Sequence, residues 1–206
     1  MTYFDAPGRA FATRVALRVA NVPFEDERLD FKQLAAARGP AGFNERVPLG
    51  QLPTLTLSDG TVHVQGASIA RWAGKKAGLY PKDDDSALVV DEVGETLNEL
   101  WSKLPDDKDA AAKKAKRAEF VSAVVPRYLE HVSRLMAQRG GDGPFVLGKS
   151  LSLADLAVFG LVNRVKTGQV DFVDMSIFDK HPRLVKCFEA TSKHAVVAAE
   201  AAVKKP

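Results

Sequence analysis

Apolar positions recur along this chain with two spacings, and the places where one gives way to the other mark its elements. Residues 1–4 form a short apolar run, followed by the loop Asp5-Ala6-Pro7-Gly8. Phe11, Val15 and Val19 then share one stripe with Ala12, Ala16 and Ala20 beside it, which predicts an amphipathic helix over residues 9–20, ended by Asn21-Val22-Pro23. Residues 24–29 read as a second strand of imperfect alternation, and residues 31–38 as a short helix stopped by Gly39-Pro40. Residues 54–57 and 61–64 are β-prone runs on either side of an Asp59-Gly60 turn, and a helical pattern restarts at Ala67, Ile69, Ala70 and Trp72. The order β-α-β-α-β-β-α is a thioredoxin-like layout. Ala6-Pro7-Gly8-Arg9 stands where a dithiol motif would sit, so dithiol redox chemistry is excluded there.

Beyond Gly78-Leu79-Tyr80-Pro81 the pattern is helical throughout. A thioredoxin-like domain over residues 1–78, a linker over 79–85 and an all-helical domain over 86–206 are expected. Ser86 is the expected cap of a helix running to about Lys103, with Leu88, Val89, Val93, Leu97, Leu100 and Trp101 on its apolar side. Asp91, Glu95 and Glu99 recur on another face, as a solvated stripe or a surface turned to a partner. A long helix over residues 110–139 contains Pro126, so a kink is expected near residues 121–125. Ser152-Leu153-Ala154-Asp155 has capping-box form and opens a helix to Val165. His181 reads as a turn residue before Pro182, and residues 195–203 as a terminal helix.

The 206 residues carry 29 Lys and Arg against 26 Asp and Glu, a net charge of +3 without a basic stripe interleaved with aromatics, which argues against a nucleic-acid partner. Cys187 is the one cysteine, so no intrachain disulfide can form, as suits a reducing compartment. There is neither a leader pattern nor an apolar run of the roughly 20 residues needed to cross a bilayer. A cytoplasmic protein without a membrane partner is expected. No zinc-type Cys/His set, Walker loop or HExxH motif is present, and no metal is expected. Ser152, Asp155 and His181 do not make a hydrolase triad, because no nucleophile elbow surrounds the serine.

The most informative stretch runs from residue 47 to residue 71. Pro48-Leu49-Gly50-Gln51-Leu52-Pro53 leads into the first β-prone run, and Gln65-Gly66-Ala67-Ser68-Ile69-Ala70-Arg71-Trp72 opens the helix after the hairpin. A proline at a strand start cannot donate to the ladder, and if its bond is cis the N–H and C=O of Leu52 face outward, free to pair with an extended peptide. Gln65 and Gly66 offer a helix N-terminus to a carboxylate. These segments resemble the "PxGQ(V/I/L)P" and "QSxAIxRY" motifs of cytosolic glutathione transferases. Residues 3–10, Tyr-Phe-Asp-Ala-Pro-Gly-Arg-Ala, resemble the opening of the sigma class, which includes the haematopoietic prostaglandin D synthases. Pro7 and Phe11 depart from that class, which has Arg and Glu there. Residues 148–155 resemble the family's N-capping box, and residues 35–47 match loosely.

The resemblance implies roles residue by residue. Tyr3 would donate to the glutathione thiolate and Arg9 would support its charge. Leu52 would pair through its backbone with the cysteinyl part, with cis-Pro53 shaping the loop and Gln51 adding a contact. Gln65 and Gly66 would hold the γ-glutamyl carboxylate, without the hydroxyl of the family's Ser. Counting forward from Glu25-Asp26 puts Leu34 and Arg38 at the glycine carboxylate, and counting back from Pro48 gives Pro40 and Asn44. Arg38 is the preferred residue and Arg46 the next. Glu99, where the family has Asp, would reach the amino group of glutathione in a partner subunit, and Arg71 would meet acidic residues of that partner. Phe4, Trp101 and Leu104 would line an electrophile pocket. The implied activity is glutathione conjugation to hydrophobic electrophiles by a detoxifying homodimer, with glutathione as co-substrate and no cofactor. A glutathione-dependent isomerase such as a prostaglandin D synthase-like enzyme, a crystallin-like structural protein and a docking module of the same fold remain open.

Overall fold

A computed structural model describes residues 1–202. The chain divides into two compact units: Met1–Tyr80 with the segment from His194 onward, and Pro81–Lys193. The C-terminal helix thus groups with the first unit, whereas residues 86–206 were expected to form one helical domain.

The first unit follows the expected order. β1 (Thr2–Phe4), α1 (Phe11–Val19), β2 (Glu27–Leu29), α2 (Phe31–Arg38), β3 (Leu55–Thr56), β4 (Val62–His63) and α3 (Gly66–Ala77) succeed one another, with a 3-10 turn at Gly8–Ala10 before α1. β1 and β2 pair in parallel, with Tyr3 opposite Arg28. β3 and β4 pair antiparallel, with Leu55 opposite His63. A bridge between Thr2 and Thr54 joins the two ribbons through backbone bonds of 2.9 and 3.1 Å. The strands are shorter than the stretches that read as strands. β2 takes only the last three residues of 24–29, where the alternation is weakest upstream.

Met1, Tyr3, Leu29, Leu34, Val47, Leu52, Leu55 and Ile69 form the core of this unit. Phe11 and Val15 face inward from α1, as their stripe requires. α2 is set by a capping box: Asp30 accepts from the Gln33 N–H, and the Gln33 side chain accepts from the Asp30 N–H at 2.7 Å. Gly78 ends α3 in the left-handed region, φ 69°, where a Cβ would be unfavourable. α9 (Ala195–Ala201) packs against α1. Residue 203, the expected end of that helix, lies outside the described residues.

The second unit contains α4 (Asp84–Ser102), α5 (Ala110–Ala123), α6 (Val125–Gly140), α7 (Leu153–Lys166) and α8 (Pro182–Ser192). Asp83 caps α4 by accepting from the Ser86 N–H at 2.8 Å, so the cap lies three residues before the Ser86 expected. Leu88, expected on the apolar side of α4, is 65% exposed, while its neighbours Val89 and Val90 are buried and carry the apolar face there. The expected kink is a break. Val124 separates α5 from α6, and Pro126 falls in the first turn of α6, where its missing N–H removes no bond. Among the described residues no helix is long and apolar enough to cross a membrane.

α7 is held by the most heavily bonded buried carboxylate of this unit. One oxygen of Asp155 accepts from the Val146 N–H at 2.7 Å and from the Cys187 thiol at 3.2 Å. The other accepts from the N–H and the hydroxyl of Ser152, both at 2.7 Å. Burial pushes the Asp155 carboxyl above its ordinary range, against the pull of those bonds. Asp155→Ala should therefore cost about 2–4 kcal/mol, because it removes a cap and strands buried donors. Urea unfolding followed by helical circular dichroism measures this, and an unchanged midpoint would contradict the capping role.

Candidate functional site

Tyr3 is the middle residue of β1, with its ring buried in the core of the first unit. Its hydroxyl accepts a hydrogen bond from the Arg9 backbone N–H at 3.0 Å. A phenol that accepts keeps its own proton to donate elsewhere. Arg9 is thus tied to Tyr3 through its backbone, while its side chain is exposed. The close approach depends on Gly8. A Cβ at Gly8 would lie 2.4 Å from the Tyr3 hydroxyl oxygen, and φ at Gly8 is +43°.

The guanidinium over the Tyr3 ring, 5.7 Å from its centroid, belongs to Arg14. Arg14 has no exposed surface. It donates from Nε to Asp26 at 2.9 Å, from Nη1 to the Ala6 carbonyl at 2.7 Å and from Nη2 to the Phe4 carbonyl at 3.2 Å. Arg28 adds bonds of 3.0 and 2.7 Å to Asp26. Burial pushes the Asp26 carboxyl upward, but the bonds from Arg28 and Arg14 outweigh it and hold the carboxyl below its usual range. Sequence reasoning missed Arg14, and its signal was a charge next to Val15 on the buried side of α1.

The separate motifs meet at Gly66. A Cβ built there would lie 3.4 Å from the Arg9 carbonyl oxygen, 3.4 Å from Pro53 Cγ and 3.6 Å from Arg9 Cβ. The β1–α1 loop, the Leu52–Pro53 turn and the start of α3 therefore share one location. The Leu52–Pro53 bond is cis, as expected. Among the described residues the Leu52 N–H and C=O make no backbone hydrogen bond, whereas those of Thr54 pair with Thr2. Gln51 is exposed beside them. Gln65 sits at φ 73°, ψ 103°, a strained conformation for a residue with a Cβ and one that clusters at functional sites. The first N–H groups of α3, from Gly66 on, precede the first helical bond, which Ile69 makes to Gln65.

The carboxylate candidates separate. Arg46 is paired with Glu27. Asn44 is a turn residue whose side-chain oxygen accepts from the N–H groups of Arg46 and Val47 at 2.9 and 3.0 Å. Leu34 is core, and Pro40 is exposed. Arg38, at the end of α2, has a buried Nε without a hydrogen-bond partner, and it lies against the loop before Gln51, with Nε 3.9 Å from where a Cβ of Gly50 would be.

The Phe4 ring stands 4.9 Å from Phe31, which is 80% exposed. In the second unit, Glu99 is exposed and pairs with Lys103 one turn on; hydrogen bonds from Lys103 and Tyr128 hold its carboxyl below the usual range. Trp101 carries the Arg164 guanidinium 4.6 Å from its ring centroid, and Leu104 is half-buried. Ser152 bonds to Asp155 while His181 Nδ1 meets the Ser133 hydroxyl at 3.0 Å, so these residues serve separate structural purposes.

Residues 1–71 match the family model "Glutathione S-transferase, N-terminal domain", and residues 95–199 match "Glutathione S-transferase, C-terminal domain". The chain belongs to the glutathione S-transferase family. It is 30% identical over 169 residues to "Glutathione S-transferase 1" of Ascaris suum, covering 77% of this chain and 75% of that protein. It is 26% identical over 202 residues to "S-crystallin SL11" of Nototodarus sloanii, covering 96% and 92% respectively. The prostaglandin synthase D of Nilaparvata lugens superimposes with a TM-score of 0.77 at 26% identity, over 96% of this chain and 94% of that one. The thioredoxin-like unit of this transferase-family chain thus carries Tyr3, cis-Pro53 and Gln65 together.

Replacing Gly8 by Ala or by Ser should destabilise the protein by about 1–3 kcal/mol to a similar extent, because a Cβ at positive φ is the constraint in both. Urea denaturation of the two variants checks this; a neutral Gly8→Ala would remove the steric argument.

Proposed function

We propose that this protein binds glutathione, stabilises its thiolate and adds it to hydrophobic electrophiles. The observation that carries the reading is the Tyr3 hydroxyl. It accepts from the Arg9 N–H and retains a proton to donate, beside the unpaired Leu52 backbone and the α3 N-terminus. A thiol of ordinary pKa, about 8.5 for Cys, is mostly protonated at neutral pH, and only the thiolate is a strong nucleophile. A donor aimed at sulfur favours the anion, and each pKa unit removed corresponds to about 1.36 kcal/mol. The thiolate then forms a carbon–sulfur bond to the electrophile, whose leaving group or added proton balances the charge.

In this reading Leu52 pairs through its N–H and C=O with the cysteinyl segment, as a short added strand. Gly66 and its neighbours on α3 offer N–H groups to the γ-glutamyl carboxylate, with Gln65 and Gln51 beside it. Arg38 takes the glycine carboxylate, because its Nε is unpartnered while Arg46 is committed to Glu27. Arg9 borders the sulfur with its exposed side chain. Glu99 serves a second copy of the chain in a homodimer, in exchange for its bond to Lys103. Phe4 provides apolar lining for the electrophile on the first unit. A detoxifying role in the cytoplasm suits a broad apolar specificity.

A second reading is favoured by the S-crystallin relative, which spans nearly the whole chain. On that reading the fold is kept without the chemistry. Retention of Tyr3, Arg9 and Gln65 weighs against it.

Titrating the thiolate absorbance of bound glutathione separates the two readings. The midpoint should fall at least about one unit below that of the free thiol in wild type, and this shift should disappear in Tyr3→Phe. That variant should lose roughly 100-fold in kcat, the scale for one donor at a developing charge, with the glutathione dissociation constant within about threefold. Equal loss of both would remove Tyr3 from the thiolate role. Arg38→Ala should instead weaken glutathione by about 10- to 100-fold, the scale of charge-assisted hydrogen bonds, with kcat at saturation little changed. Calorimetric titration reads this, and unchanged affinity would exclude Arg38.

A further inference from the structure

Glu200, on α9, is 2% exposed, an unusual position for a carboxylate unless it is paired. One of its oxygens lies 3.2 Å from Arg28 Nη2 and 3.7 Å from Arg14 Nε, and the other accepts from Arg18 Nε at 3.2 Å. Asp26 meets the same three guanidiniums: Arg14 at 2.9 Å, Arg18 at 3.2 Å and Arg28 at 2.7 Å. Arg28 also pairs with Asp5 at 3.0 Å. The cluster sets Arg14, Arg18 and Arg28 against Asp5, Asp26 and Glu200, so its charges balance.

Its inner end is the loop that follows Tyr3. Arg14 holds the carbonyls of Phe4 and Ala6, and Arg28 holds the side chain of Asp5. Those are the three residues between Tyr3 and the Pro7-Gly8-Arg9 segment whose N–H sets the Tyr3 hydroxyl. Without Glu200, Asp26 faces three guanidiniums, of which Arg14 is closed off from solvent, and Arg18 and Arg28 compete with Arg14 for it. A buried guanidinium that loses part of its counter-charge shifts toward what remains. For Arg14 that shift draws on its bonds to Phe4 and Ala6.

We infer that Glu200 is a positioning residue for Tyr3, acting through Arg14: the C-terminal helix supplies the counter-charge that keeps the loop between Tyr3 and Arg9 in register with the thiolate. This inference rests on the transferase reading. It assigns catalytic weight to a residue that touches neither glutathione nor electrophile.

The test compares Glu200→Gln, Glu200→Asp and Val197→Ala. Val197 is fully buried on the same helix and belongs to no ion pair, so its truncation loosens α9 without touching the cluster. Full-length proteins are assayed below every melting midpoint, with glutathione and chlorodinitrobenzene as probes. Glu200→Gln should lose about ten- to hundredfold in kcat, the scale of a small misplacement of a catalytic group, with KM for glutathione within about twofold. The thiolate midpoint of bound glutathione should rise with it. Glu200→Asp, which keeps the charge, should recover most of the kcat and should show this even if Glu200→Gln folds poorly. Val197→Ala should melt lower yet keep the wild-type kcat and midpoint. Wild-type kcat and midpoint in Glu200→Gln, an equal loss in Val197→Ala, or no recovery in Glu200→Asp would overturn the inference alone. Wild type that binds no glutathione, or binds it without shifting the thiol, would overturn the transferase reading and this inference with it.

Discussion

A guanidinium with no exposed surface must find all its partners inside the protein, and Arg14 of α1 does so at one decisive place. Taking it from water without partners would cost several kcal/mol. Its donors are met by Asp26 just before β2 and by the Phe4 and Ala6 carbonyls after β1. Satisfying that one charge therefore ties the end of β1 to α1 and to the approach of β2, and fixes the loop through which Tyr3 reaches the Arg9 N–H. Glu200 completes the charge balance from the far end of the chain. The βα turn is thus positioned by electrostatic necessity as well as by its apolar core.

The two units treat buried polar groups in opposite ways. In the second, Asp155 accepts four bonds and leaves nothing over, which is how a carboxylate serves as a structural cap. In the first, unspent hydrogen-bonding capacity collects where the β1–α1 loop, the Leu52–Pro53 turn and the start of α3 meet: the Tyr3 proton, the Leu52 backbone and the first N–H groups of α3. Gln65 adds backbone strain at the same place. Unpaired groups and strain cost stability, so their concentration at one location marks a surface shaped for a ligand. Cys187 belongs with Asp155 among the satisfied groups of the second unit. Burial and the adjacent Asp155 carboxylate push its thiol far up, so the protein's own sulfur is no nucleophile.

The sequence by itself determined the order of elements in the first unit and the family to which the chain belongs. Helical periodicity is local, so α1, α2 and α3 were legible from residues three and four apart. The Pro53 and Gln65 motifs are contiguous and carry their own turn chemistry. Strand lengths were less legible, because pairing partners lie elsewhere in the chain: β2 keeps only Glu27–Leu29 of the stretch 24–29 that reads as a strand. Choices between equivalent residues needed the tertiary structure. Arg38 was preferred to Arg46 by counting alone, and only the folded chain pairs Arg46 with Glu27. Asp83 outranks Ser86 as a cap only once the helix start is in place. Arg14 and Glu200 stand 186 positions apart, and no local pattern links them. Only folding brings their charges together, because the energy that pairs them depends on burial, and burial is a property of the assembled chain.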